Sequence, residues 1–144
     1  MKQEYLSPSV ELRRLIWVGP LTVLSSIAAV LFVRFVAVAL LHPQPAFMPL
    51  TVAPPIVDTA VLVSLAVLVF RRVVFFALDP IGTYKIIAIT ALLLSFLPDI
   101  ALAISHRAAW PYAFALMAMH VAAWAVCVPM LTKLTTTNAP QPEI

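Results

Sequence analysis

The sequence predicts an all-α protein, a bundle of four transmembrane helices with both ends in the cytoplasm. Three observations predict it. Of the 144 residues, 63% are apolar and only 10% are charged, against roughly 25% charged in an ordinary soluble domain. The apolar residues fall into four runs, each close to the roughly 20 residues of helix that cross a hydrocarbon core. The lysines and arginines gather at alternate ends of those runs, as positive-inside orientation requires. A water-soluble globule of this length could not hide so much apolar surface, and four spans leave no room for a separate soluble domain.

The elements follow in order. Residues 1–14 form a polar cytoplasmic segment ending in Arg13-Arg14. The first span covers 15–41, with Gly19-Pro20 near its start, where proline costs a helix least. This run is longer than the apolar core of a signal peptide, about 7–15 residues, and it contains Arg34, so it reads as a retained span despite the small residues Ala37 and Ala39. Residues 42–55 carry five prolines (43, 45, 49, 54 and 55). They predict an extended loop on the outer membrane surface, because proline lacks an amide donor.

The second span covers 56–78, with Arg71 and Arg72 snorkelling to the headgroups. Asp79-Pro80-Ile81-Gly82 is a turn signal by residue type. The third span covers 83–105, carries Pro98 inside it, and leads through a short loop to a fourth span over 112–134. The polar residues 135–144 contain two prolines and are expected to be a disordered cytoplasmic tail.

Orientation rests on the loop charges. Lys2, Arg13, Arg14, Arg71, Arg72, Lys85 and Lys133 fall on one side, and only Arg107 on the other. That asymmetry places both termini in the cytoplasm.

Composition excludes several functions. No stripe of basic residues exists to neutralise phosphates along a nucleic acid. Cys127 is the only cysteine, which rules out an internal disulfide or a thiolate cage for zinc. Two glycines in the whole chain, Gly19 and Gly82, leave no phosphate-cradling loop and no glycine-based helix dimer motif. His42, His106 and His120 make no pair matched across one haem plane. Asp58, Asp99 and His120 have the right donor types for a metal but no spacing signature. No nucleophile stands beside a base. No cofactor and no metal is implied.

Ionisable groups inside spans are costly and need a reason. There are four: Arg34, Asp58, Asp99 and His120. Asp58 lies 13 residues before Arg71, Asp99 14 after Lys85, and His120 13 before Lys133, each roughly 20 Å from the cytoplasmic markers. Three spans therefore bring one ionisable group each to about the same level, in the outer half of the membrane. Arg34 sits higher, roughly 30 Å from Arg14, and its long side chain can descend.

Two readings stand. In one, these are independent residues: Asp58 caps the second span, Arg34 snorkels outward, and His120 bonds a backbone carbonyl. In the other, Arg34, Asp58, Ser95, Asp99 and His120 form a buried polar or ligand-binding cluster, with Arg34 paired to Asp58 and Asp99 to His120. Pro98 frees the carbonyl of Leu94, and Ser95 lies one turn before Asp99, so a local kink with polar filling is expected. Ser95, Asp99 and His106 fall on one side of the third span. His120, Trp124 and Cys127, with Met117 a turn earlier, line one face of the fourth. Such faces wall a pocket that is mostly apolar with a few converging polar groups.

Gly19-Pro20-Leu21-Thr22, Arg34, Ser95-Phe96-Leu97-Pro98-Asp99 and Met119-His120-Val121, in that order, resemble an uncharacterised bacterial family of small four-span membrane proteins, known only as a domain of unknown function. The resemblance spans residues 15–134. It implies the four-span layout and a location in the cell inner (plasma) membrane, and it implies no activity.

Three function classes remain. The first is a structural or accessory membrane subunit whose polar layer locks the helices together, with another membrane protein as its partner. The second is a protein that binds or transports a small lipophilic or weakly basic molecule in a cavity of the outer half. The third is a membrane enzyme using Asp99 and His120 as an acid–base pair. A dry, filled interior would favour the first, and a cavity touching Asp99 and His120 the second or third.

Overall fold

The computed structural model describes residues 9–43 and 48–137. Four long helices account for nearly all of them: α1 (Leu15–Leu41), α2 (Ala53–Phe76), α3 (Pro80–Ile104) and α4 (Trp110–Leu134). Each is long and apolar enough to cross a membrane. The chain is a multi-pass membrane protein with an all-α, four-helix bundle.

Proline sets where three of the helices begin. Pro54, Pro80 and Pro111 all lie at the first or second helical position, where the missing amide would have had no partner anyway. For this reason α2, α3 and α4 start two or three residues earlier than their apolar runs. Asp79 is consequently not part of a free turn. It is the N-cap of α3, its carboxylate accepting the Gly82 amide at 3.0 Å.

Each helix packs against its neighbours in sequence, and α1 closes the ring against α4. The helices run alternately up and down, and the short segments outside them cap the two ends. At one end, β1 (Ser9–Val10) pairs antiparallel with β2 (Thr136–Thr137), and the Glu11 amide donates to the Thr135 carbonyl at 2.8 Å. The sequence leads one to expect a tail without structure from residue 135. Residues 135–137 are instead tied to the start of α1, and the rest of that tail, like residues 1–8, lies outside the described residues. Arg13, Arg71, Lys85 and Lys133 are all at this end. Arg13 and Arg71 line one cleft between α1 and α2, and Lys85 and Lys133 line another between α3 and α4.

At the opposite end, His42 and His106 adopt left-handed backbone conformations, with φ of 44° and 57°, and terminate α1 and α3. The loop before α2 does not lie flat on the surface. Met48–Leu50 forms a single 3-10 turn that drives Leu50 into the bundle, where it is 3% exposed against Val30, Leu116 and Met119. An apolar residue beside prolines gains more by filling the bundle end than by lying at the interface. Residues 44–47 lie outside the described residues.

Packing is inverted relative to a soluble bundle. Phe32, Phe35, Leu40, Phe76 and Leu93 are exposed, whereas Thr22, Ser26, Thr59 and Asp99 are buried. Lipid wets the apolar outside, and hydroxyls turn inward to bond the preceding turn: Thr22 donates to the Val18 carbonyl and Thr132 to that of Val128. The apolar core is in two parts. One part, toward the basic end, gathers Leu15, Val18, Phe70, Tyr84 and Leu131, and the other, toward the opposite end, is the cluster around Leu50.

Candidate functional site

Between these two parts the packing opens, and Asp99 and His120 lie there. Asp99 is 5% exposed, so the third span turns its carboxylate inward, away from lipid. His120 Nε2 stands 3.4 Å from Asp99 Oδ2, within ion-pair range but without hydrogen-bond geometry. Asp99 Oδ2 is buried and has no hydrogen-bond partner. The His120 side chain is 31% exposed.

Asp58 joins them. Together with Asp99 and His120 it lines a cavity of about 180 Å³ under the Pro49 turn, walled by Leu62, Val63, Leu116 and Met119. The depth count along the sequence places these three groups at one level, and the structure brings them to one cavity. Asp58 does not cap α2, because the helix begins at Ala53 and has no side-chain cap. Its carboxylate is exposed and forms no ion pair with Arg34. Arg34 Nε donates instead to the Leu50 carbonyl at 2.8 Å. The turn that buries Leu50 leaves that carbonyl short of a backbone donor, and a guanidinium on α1 is within reach. Arg34 therefore staples the turn to the bundle and does not neutralise the acidic pair.

A second cavity, of about 240 Å³, lies on the side of His120 toward the basic end and shares Leu62, Val63, His120 and Ala123 with the first. Its walls are α2 and α3 and its floor is α4. Trp124, Cys127, Tyr84 and Ser95 line it amid aliphatic side chains. It opens sideways between α2 and α3, where Leu62, Leu65 and Ile87 are exposed. The indole Nε1 of Trp124 is buried with no acceptor. The other polar groups of this wall are engaged. Ser95 donates to the Leu92 carbonyl at 2.7 Å, and so does not fill the gap opposite Pro98. Tyr84 Oη lies 3.7 Å from Cys127 Sγ, and its ring meets Phe70 edge-on at 4.8 Å.

Trp124 and Cys127 wall a pocket as their spacing with His120 predicts. Met117, a turn earlier, lines neither cavity. His106 is also apart from the site, because α3 ends at Ile104 and the histidine lies exposed beyond it. Tyr84 and the α2 wall carry no mark in the sequence. An aromatic in the first turn of a span looks like an interfacial anchor, and leucine and valine on α2 look like any lipid-facing residue. Among the described residues, no three His, Cys, Asp or Glu side chains converge closely enough to hold a metal ion.

No family model, curated protein or solved structure matches the chain.

Proposed function

We propose that the protein binds a small lipophilic molecule bearing a basic or hydrogen-bond-donating group, admitted from the membrane between α2 and α3. The observation that carries this reading is the pair of adjoining cavities that share His120 and have on their walls two buried polar atoms without a hydrogen bond, Asp99 Oδ2 and Trp124 Nε1. An unsatisfied buried donor or acceptor costs about 1–3 kcal/mol; Ser26 Oγ is a third such atom and lies away from both cavities, so it is the position of the other two on cavity walls that points to a ligand. A ligand would satisfy both, with its donor toward Asp99 and an acceptor toward the indole, while its apolar body lies along Ala88, Ala91 and Leu92. Each cavity alone is below the range of about 300–1,000 Å³ typical of drug-sized sites and the two together fall at its lower end, which favours a compact molecule. The charge asymmetry supports an orientation with both ends cytoplasmic and the acidic cavity in the outer half, and the family resemblance implies the plasma membrane.

The test uses Trp124 as its own reporter. With Trp17 and Trp110 replaced by Phe, the detergent-solubilised protein is titrated with phenethylamine and with its neutral analogue propylbenzene. The amine should shift Trp124 emission and bind roughly tenfold tighter than the hydrocarbon, the worth of one charge-assisted hydrogen bond. Asp99→Asn should abolish that preference. No spectral response to either probe, or an amine preference that survives Asp99→Asn, would refute the reading.

A further inference from the structure

The opposite end of the bundle carries a second and unrelated candidate site. Arg71 and Arg72 lie on α2 before its end at Phe76, and Phe75 and Phe76 beyond them are exposed and apolar. Both arginines therefore sit beneath an apolar rim, where a guanidinium facing lipid requires an anion or a route to water. Arg71 has a neighbour. It and Arg13 line one cleft of about 540 Å³ between α1 and α2, whose other walls are Leu12, Leu15, Ile16, Val67, Leu68 and Phe75. Among the described residues, no carboxylate pairs with either arginine. The nearby acid, Glu11, is already committed to Arg14 at 2.6 Å. Arg72 points elsewhere and is not among the lining residues.

We propose that this cleft binds one anionic phospholipid, its phosphate held between Arg13 and Arg71 and its acyl chains against Ile16, Val67 and Leu68. Two features select this occupant. Arg13 and Arg71 line one cleft and neither pairs with a carboxylate among the described residues; each guanidinium is a planar fork that can bond a phosphodiester through two parallel N–H donors. The apolar wall runs directly from the arginines toward the membrane interior, so headgroup and tail are recognised in one continuous cleft. A free phosphate would use only the first feature. The basic end of a membrane protein also faces the leaflet where anionic lipids concentrate.

Arg72 makes the test sharp. It has the same charge, helix and depth as Arg71 but lies outside the cleft. The full chain, purified and delipidated in a mild detergent, is titrated with dioleoyl phosphatidylglycerol, and the first bound lipid is followed by native mass spectrometry. Arg13→Gln and Arg71→Gln should each weaken that first lipid roughly tenfold, and Arg72→Gln less than twofold. Arg71→Lys, which keeps the charge and loses the fork, should fall between. Dioleoyl phosphatidylcholine, whose phosphate is screened by its own choline, should bind more weakly. Equal weakening by all three glutamine variants would show diffuse attraction and overturn the site. So would equal retention of the two lipids. Displacement of the lipid by inorganic phosphate at comparable concentration would assign the arginines to a free anion and also overturn it. Unchanged helical content by circular dichroism separates lost binding from lost folding.

Discussion

Asp99 and His120 illustrate what a sequence reveals at the scale of one residue. An ionisable side chain inside an apolar run stands out because lipid makes it costly, and the short loop between α3 and α4 brings these two together. Removing one partner of such a pair leaves the other uncompensated, so Asp99→Asn should destabilise the solubilised protein more than Asp99→Asn with His120→Leu. His120 is 31% exposed, which reduces the coupling to about 1 kcal/mol, well under that of a fully buried pair. Denaturation of the two singles and the double variant measures it, and strict additivity would mean the residues do not interact. Arg34 was harder to read. Its partner is the Leu50 carbonyl, and a backbone acceptor has no signature in the sequence. Gly82 is a similar case. A Cβ there would overlap the Asp79 carboxylate, so Gly82→Ala should expel the cap and cost about 1 kcal/mol, as loss of an N-cap typically does. Asp79→Ala should then cost about the same, and the double variant little more than either, because both remove one hydrogen bond.

At the scale of the element, the four helices were legible because hydropathy over twenty residues is a strong signal, and the first span matches its apolar run end to end. The other three begin early because proline, read as a helix breaker, is a helix starter in the first turn. That shift of three residues is also why Asp58 is not a cap. Helix pairing was not legible, because lipid-facing and helix-facing leucines look alike. Gly19 is where one contact can be probed. It is buried, and a Cβ placed on it would lie 3.3 Å from Val67 Cγ1, so its missing side chain sets how closely α1 approaches α2. Gly19→Ala requires Val67 to yield by a few tenths of an ångström and should lower the melting temperature only slightly. Gly19→Leu cannot be accommodated without separating the helices, and overpacking of this kind costs typically about 1–3 kcal/mol. A thermal-shift series over Gly, Ala and Leu should fall steeply at the last step. A shallow, even decline would mean that α1 and α2 are not held at this point.

For the whole molecule, an even number of crossings puts the segment before α1 and the segment after α4 on one side, and Ser9–Val10 pairs with Thr136–Thr137 there. The bundle is thereby closed into a ring at its basic end, where Arg13 and Arg71 line their cleft. The cavity with Asp58 and Asp99 lies toward the far end, while most of the lysines and arginines lie at the basic end. Which face is cytoplasmic is a separate matter, carried by the seven-to-one distribution of loop lysines and arginines. One double variant checks both statements. Val10 and Thr136 are directly opposite in the antiparallel pair, where Cα atoms are about 4.5–5.5 Å apart, within the span of a disulfide. Val10→Cys with Thr136→Cys should therefore crosslink efficiently when the purified protein is oxidised, and Cys127, only 5% exposed, should not compete. In intact cells the same two thiols should resist a membrane-impermeant maleimide and become reactive once the cells are permeabilised. Labelling from outside would reverse the orientation while leaving the fold intact. Failure to crosslink, with both thiols reactive, would show that Val10 and Thr136 are not paired and that the ring is open at its basic end.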